Sequence, residues 1–393
     1  MAEEFRLRHL DSASALPAEV WNRFFPADYP FTRHEFLAAL ETHGCATATT
    51  GWTPCHAVLE DASGDLAGLA PLYLKAHSYG EFVFDFSWAE ASQRIGRRYY
   101  PKLLNAVPFT PATGPRLGAR DELARGALAA ALPQVARGNK LSSAHALFLA
   151  PDDLQALRGA GCLERNDVQF HWRNHGYEDF AGFVARLSSD KRKKLLRERR
   201  RVAEAGLRFE VRSGEELDTA AWERVYALYA NTYGERGQDP YLSLEFFLDY
   251  GQAAGTPVRL VLAYEGQRLV AVAITVLGGD TLYGRHWGAA ERYHSLHFET
   301  CYYQGIDWCI RQGLACFDAG AQGEHKLARG FEPVTTHSAH WLAEPRLHQA
   351  VANALARERA WVEARGEALA EHSPYRRGDG AAALPLELDA EHG

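Results

Sequence analysis

One order of elements is readable twice along this chain, and that repetition limits the fold more than any single motif. In the second half, residues 258–264 read as a strand, Glu265-Gly-Gln267 as a turn and residues 268–277 as a second strand. Gly278-Gly-Asp280 then turns into a third strand, residues 281–287. Apolar, β-branched runs separated by short Gly-containing pairs are the pattern of a meander. A helix (296–312), a short apolar strand (314–317), a polar loop and a closing strand (334–342) follow. Alternation in the closing strand puts Val334, Thr336, Ser338, His340 and Leu342 on one face.

The first half offers the same grammar after a start, residues 5–45, that reads as helical. Residues 55–60, 66–75 and 81–86 are expected as strands and 89–100 as a helix. An apolar run (103–109), the loop 110–115, a helix (121–136) and a strand (143–149) come next. Dipeptides recur at an offset of roughly 200 residues, the length of a small domain. Tyr79-Gly80 answers Tyr283-Gly284, Trp88-Ala89 answers Trp287-Gly288, and Tyr99-Tyr100 answers Tyr302-Tyr303. In that alignment the loop 110–115 is the first copy of 320–324. The expected fold class is therefore α/β (mixed α+β), two tandem domains with mostly antiparallel central sheets. The expected boundaries are 1–165 and 166–345, the second domain including a basic helix at 189–204. A helix at 346–372 and a mobile tail at 373–393 complete the chain.

At 393 residues there is room for two cores, and 47% hydrophobic with 24% charged residues is an ordinary globular balance. Net charge is −7, so a nucleic-acid contact would have to come from a local basic patch. No apolar stretch approaches 18 residues and the first residues are charged, so neither a signal peptide nor a membrane span is expected. Six cysteines form no CxxC pair, which fits reduced thiols and a cytoplasmic location.

Residues 317–333 carry the densest chemistry. An apolar strand leads into Gly320-Ala-Gln-Gly-Glu-His-Lys326, and Arg329, Gly330 and Pro333 follow. Gly330 reads as a helix-end glycine and Pro333 as a stop. A Gly-rich turn that opens a short cationic helix presents free N–H groups to an anion or a developing oxyanion. Gln322, Glu324, His325, Lys326 and Arg329 are the polar side chains there. Lys326 and Arg329 share a helix face, either gripping a phosphate, carboxylate or oxyanion, or pairing in solvent with Glu324 and Glu332. At 100° per residue Glu299 shares an apolar stripe with Tyr302, Tyr303, Ile306 and Ile310. A carboxylate placed there is either a general base for an attacking amine or a structural group tying down Arg285 or His286. His325 is the other candidate proton handler. His294 and His297 sit at i,i+3, but without HExxH or cysteine spacing no metal is assigned. Residues 190–201 hold eight Lys/Arg in a helix where Leu195 and Val202 supply a narrow apolar stripe. That helix is either a solvated surface or a phosphate contact made through Lys191, Arg192 and Lys194. Its partner would be a nucleotide, a lipid-linked precursor, transfer RNA or an anionic membrane.

These features together resemble the tandem GNAT-like fold of Fem-type acyltransferases, and more closely the FemAB-like N-acyltransferases of bacteria. The resemblance is carried by His286-Trp-Gly288, Leu296-His-Phe-Glu299, Tyr302-Tyr-Gln-Gly-Ile306 and residues 320–331. Ser188-Ser189 with Lys191–Lys194, and Pro108 to Pro115, add to it. It implies two GNAT-like domains and a peptidoglycan-related enzyme that moves an acyl or aminoacyl group to an amine by direct attack. It gives Lys326 a role in the transfer step, with Glu299 or His325 as base. Gln322, Glu324, Arg329, Arg285, His297 and Tyr303 are the implied substrate contacts. No resident cofactor is implied. The donor is acyl-CoA or aminoacyl-tRNA, and the acceptor is a small-molecule or precursor amine. The usual GNAT pyrophosphate loop and the long helical arm of some Fem-type enzymes have no recognisable counterpart. A binding module for a phosphate- or carboxylate-bearing ligand is the alternative, with a metal-dependent hydrolase third.

Overall fold

The meander of the second half forms as its turn chemistry requires. Val258–Glu265, Arg268–Gly278 and Thr281–Ala289 pair antiparallel through two-residue turns, with Gly266 at φ 58° and Gly279 at φ 56°. The computed structural model describes residues 4–321 and 323–376. Gln322 and most of the expected tail lie outside the described residues.

Among the described residues eleven strands form one sheet. From edge to edge these are Leu207–Ser213, Val258–Glu265, Arg268–Gly278, Thr281–Ala289, Cys316–Asp318, Leu163–Arg173, Glu332–Leu342, Ser143–Leu147, Lys102–Asn105, Leu72–Lys75 and Trp52–Pro54. A smaller sheet joins Arg6–Leu10, His56–Glu60, Leu66–Ala70 and Gly118–Ala119. The halves exchange strands. Leu163–Arg173 pairs with Cys316–Asp318 of the second half, and Glu332–Leu342 pairs with Ser143–Leu147 of the first. The two exchanged strands also pair with each other, from His340↔Leu163 to Glu332↔His171. A boundary at residue 165 falls inside the first of them. One hydrophobic cluster runs across both halves, from Trp21, Phe31 and Trp52 to Trp222, Phe247 and Ile274.

Each half contains one parallel pair, Lys102–Asn105 with Ser143–Leu147 and Thr281–Ala289 with Cys316–Asp318. These pairs are the true topological equivalents, and they correct the dipeptide alignment. Tyr283 and Trp287 lie in a strand, whereas Tyr79 is in a loop and Trp88 is in the helix Phe86–Arg94. Loop 110–115 follows the first strand of its parallel pair, and the Gly320 turn follows the second strand of its own. Short matches at a fixed offset fail because the two halves have connections of different lengths.

Two further expectations are overturned near the N-terminus. Residues 5–45 open with the strand Arg6–Leu10, with α-helices at Ala18–Asn22 and His34–Thr42 and short 3₁₀ turns at Ala13–Ala15 and Pro30–Thr32. Residues 81–86, expected as a strand, form an irregular segment that runs into the helix at Phe86. Glu81 and Asp85 turn inward to Lys102, with Nζ to Glu81 Oε2 at 2.8 Å and to Asp85 Oδ2 at 2.5 Å, while Phe84 and Phe86 are exposed. The ion pairs reverse the polarity that a strand reading assigns to the two faces.

The basic helix occupies Ser189–Glu204 and buries Leu195, Glu198 and Val202. Its inward charges are paired: Glu198 with Arg329 at 2.8 Å and Arg199 with Glu299 at 3.1 Å. The C-terminal helix spans Pro345–Glu371. No helix among the described residues is long and apolar enough to cross a membrane.

Candidate functional site

Past Tyr283↔Asp318 the second parallel pair has no further paired residues, and a cavity of about 590 Å³ opens there. Gly284, Arg285, His286 and Trp287 line it from one strand, and Ala319, Gly320, Ala321, Gly323, His325 and Lys326 from the other side. The equivalent place in the first half is filled. Gly114 bridges to Leu149, and the fully buried Arg116 donates to Leu147 O at 2.9 Å, Ala112 O at 2.6 Å and Tyr29 OH at 3.2 Å. Loop 110–115 is thus a plug for its own half. Its neighbours Phe109 and Pro111 reach across to line the second-half cavity.

The helix Thr219–Gly234 closes another wall with Tyr229, Thr232 and Tyr233. It approaches because Gly288 has no side chain: a Cβ there would stand 2.1 Å from Leu228 O. Arg236, Gln238 and Tyr241 follow at the rim. Sequence reasoning missed these residues, since tyrosines 226, 229 and 233 repeat as a core stripe would.

Lys326 is 2% exposed, on a short 3₁₀ helix, Glu324–Arg329. Its Nζ donates to Ala319 O at 2.9 Å and Gly320 O at 2.7 Å. An ammonium has three donors, so one remains for a ligand. Burial brings its pKa down to about 8, against the opposing pull of Asp318. His325 Nε2 lies 3.0 Å from Tyr302 OH, and burial together with Arg329, Lys326 and Lys194 lowers its pKa. Burial also lowers His297 to about 4 and His286 to about 3, helped by neighbouring cations. The cavity thus holds three imidazoles favoured in the neutral form, with Lys326, Arg285 and Arg236. No carboxylate lines it among the described residues.

Among the described residues, four of the expected catalytic and substrate-contact residues do not line this cavity, nor do Lys191, Arg192 and Lys194. Glu299 is buried but accepts from Arg199 Nε at 3.1 and 3.2 Å and from Gln304 Nε2 at 2.8 Å. Desolvation raises its pKa against the pull of Arg199. It matches the structural reading, with Arg199 as partner in place of Arg285 or His286. Tyr303 donates to Glu198 Oε2 at 2.5 Å, and Arg329 spans Glu198 and His325 O at 2.8 and 2.7 Å. Glu324 is exposed and pairs with Arg365. The physical reason is a π-helical turn, Glu299–Tyr303, inside the helix that continues to Gln312. Its wider turn breaks the 100° spacing and leaves Tyr302, not Tyr303, at the cavity. Glu299→Gln is therefore expected to cost about 1.5–3 kcal/mol of stability through the Arg199 contact. Its kcat should stay near wild type, so a folded variant that loses most of its turnover would return Glu299 to the chemistry.

No residue of the basic helix lines the cavity, but the charge of Lys194 acts on His325 from outside it, with Lys191 half-buried three residues before. Arg192 lies on a separate groove with Phe180, Val184, Leu196 and Arg199. His294 bonds Arg201 at 2.8 Å, whereas His297 faces the cavity. Among the described residues no group of three or more His, Cys, Asp or Glu has the arrangement to hold a metal ion.

Known proteins bear on this geometry in three ways. No curated protein matches the sequence. The C-terminal domain of a protein assigned as a lysylphosphatidylglycerol synthetase from Agrobacterium fabrum superposes with TM-score 0.51 at 11% identity, covering 86% of this chain and 94% of that one. FemX superposes with TM-score 0.51 at 11% identity, covering 88% of this chain and all of its own. At such identity the likeness speaks for the fold, two tandem GNAT-like domains. A family model described as peptidoglycan biosynthesis/recognition matches residues 12–377, nearly the whole chain. The chain belongs to the FemAB-like family and is an acyl or aminoacyl transferase.

Proposed function

We propose that the protein forms an amide by direct transfer of an acyl or aminoacyl group to an amine of a peptidoglycan precursor, in the cytoplasm. The donor is an acyl-CoA thioester or an aminoacyl-tRNA ester. The observation that carries the reading is Lys326, a buried ammonium with one free donor, beside His325 in the same cavity. The amine nitrogen attacks the donor carbonyl and a C–N bond forms. Lys326 donates to the resulting oxyanion. The oxyanion collapses with loss of the thiolate or ribose oxygen, and His325 carries the amine proton toward that leaving group. A neutral imidazole accepts a proton, whereas a charged one does not. Arg285 and His297 contact the substrate in this reading, as does Gln322. Lys191 and Lys194 approach phosphates of the donor or of a lipid-linked precursor.

The test supplies acyl-CoA or aminoacyl-tRNA with a precursor amine and detects the amide by mass spectrometry. One donor is expected to yield product, and His325→Gln to slow it about a hundredfold. Absence of product with both donors, together with thermal stabilisation by the precursor alone, would favour a binding role.

A further inference from the structure

We propose that Arg285 is an anion receptor, and that the part of the substrate entering the cavity carries a carboxylate or phosphate group. The buried cations elsewhere in the protein have their partners within the chain. Lys102 meets Glu81 and Asp85, Arg329 meets Glu198, Arg116 is surrounded by carbonyl and hydroxyl oxygens, and Lys75 donates to Tyr79 O at 3.2 Å beside His77 and lies over the Trp52 ring. Arg285 is different. Among the described residues its one hydrogen bond is from Nη2 to Phe109 O at 2.7 Å, and its guanidinium lies 5.4 Å from the centre of the Phe31 ring. A guanidinium has five N–H donors in a fork that matches two oxygens of a carboxylate or phosphate. No carboxylate among the described residues comes within ion-pair distance of it. Asp318 acts on it only through the longer-range field, and Asp318 Oδ1 is taken by the Gly320 N–H at 2.8 Å.

Arg285 also occupies the right place. It is two residues beyond Tyr283, the last residue of its strand paired with Cys316–Asp318, on the opposite side of the opening from Gly320, whose carbonyl holds Lys326. An anion seated on Arg285 would fix the substrate in the chamber where Lys326 and His325 lie. No carboxylate among the described residues lines the cavity, and Asp318, one residue before the lining Ala319, is outnumbered there by Arg285, Lys326 and Arg236. The inference rests on the transferase reading for the role of the bound group, but its test does not use turnover.

The test is thermal unfolding of the full chain in sodium acetate or inorganic phosphate, against sodium chloride at matched ionic strength. Wild type should show a saturable rise in Tm with at least one anion. Acetate alone would name a carboxylate, and phosphate alone a phosphoryl group. Arg285→Gln should lose that response, while its Tm without anion stays near wild type, since the half-buried guanidinium has no ion pair to lose. Arg285→Lys keeps the charge without the fork and should need at least tenfold more anion. Should the Gln variant fail to fold, the Lys variant carries the test. A wild type indifferent to both anions, or a variant that responds as wild type, would overturn the proposal. Loss of turnover in Lys326→Met with no anion response at Arg285 would leave the transferase reading standing and this one rejected.

Discussion

Lys326→Met is expected to lower kcat by about 10²–10³ with little change in KM. That is the loss typical of removing one preorganised donor from a developing oxyanion. Methionine preserves the length of the side chain, so the pocket stays filled. Lys326→Arg should not rescue, because the buried Nζ seat between Ala319 O and Gly320 O has no room for a planar fork. The pH dependence has a definite sign. The ammonium is present below its pKa of about 8, and the His325 imidazole is neutral above its lowered value. The rate should therefore hold on a plateau near neutrality and fall as pH rises through about 8. Saturation kinetics across pH 6–9 would check both points. A variant that raises KM at unchanged kcat would make Lys326 a ground-state contact only.

Lys102→Met should produce the largest loss of stability in the chain. Lys102 is fully buried and its Nζ also reaches Ser78 Oγ at 2.9 Å, besides Glu81 and Asp85. Removing the cation strands two carboxylates in the core, at a cost of about 3–5 kcal/mol, read from urea denaturation. A loss of less than about 1 kcal/mol would mean that water or protonation already compensates the site. Linkage gives the direction with pH. Burial pushes Glu81 up to about 7 against the opposing charge of Lys102. A carboxyl whose folded pKa exceeds its unfolded one stabilises fully below the unfolded value, near 4.5, and loses that contribution as pH rises through about 7. Burial also pushes Asp85 up, but Lys102 and His145 outweigh it and hold the carboxyl well below the usual range. Its contribution is present above the ordinary carboxylate pKa and is lost as pH falls toward the depressed one.

This cluster also explains why residues 81–86 do not form the expected strand. Strand alternation would send the polar groups to solvent, yet here two carboxylates face a lysine on a strand about twenty residues away, while Phe84 and Phe86 are exposed. A pattern of period two carries no information about a partner elsewhere in the chain. The same limit applies to Glu299, which lies outside the cavity, and His325, which lines it. Both were legible as candidates from residue type, but the Arg199 contact lies 100 residues away in sequence.

What the sequence by itself determined is what depends on near neighbours. The three-stranded meander of residues 258–289 follows from β-branched runs and two glycine turns, and the helix Glu122–Gly138 from its Asp121 cap. The inward stripe of Leu195 and Val202 follows from helical spacing, and Gly330 ends the 3₁₀ helix as a C-cap glycine. Only the tertiary structure decided which polar groups share the cavity. The strand exchange brings Leu163–Arg173 beside Cys316–Asp318, and Phe109 crosses from the first half to meet Arg285. The π turn at Glu299–Tyr303 moves Tyr302 to the wall, and Glu198 draws Arg329 and Tyr303 away from it. These outcomes depend on desolvation and pairing between residues far apart in the chain. Those energies exist only after the halves have packed together.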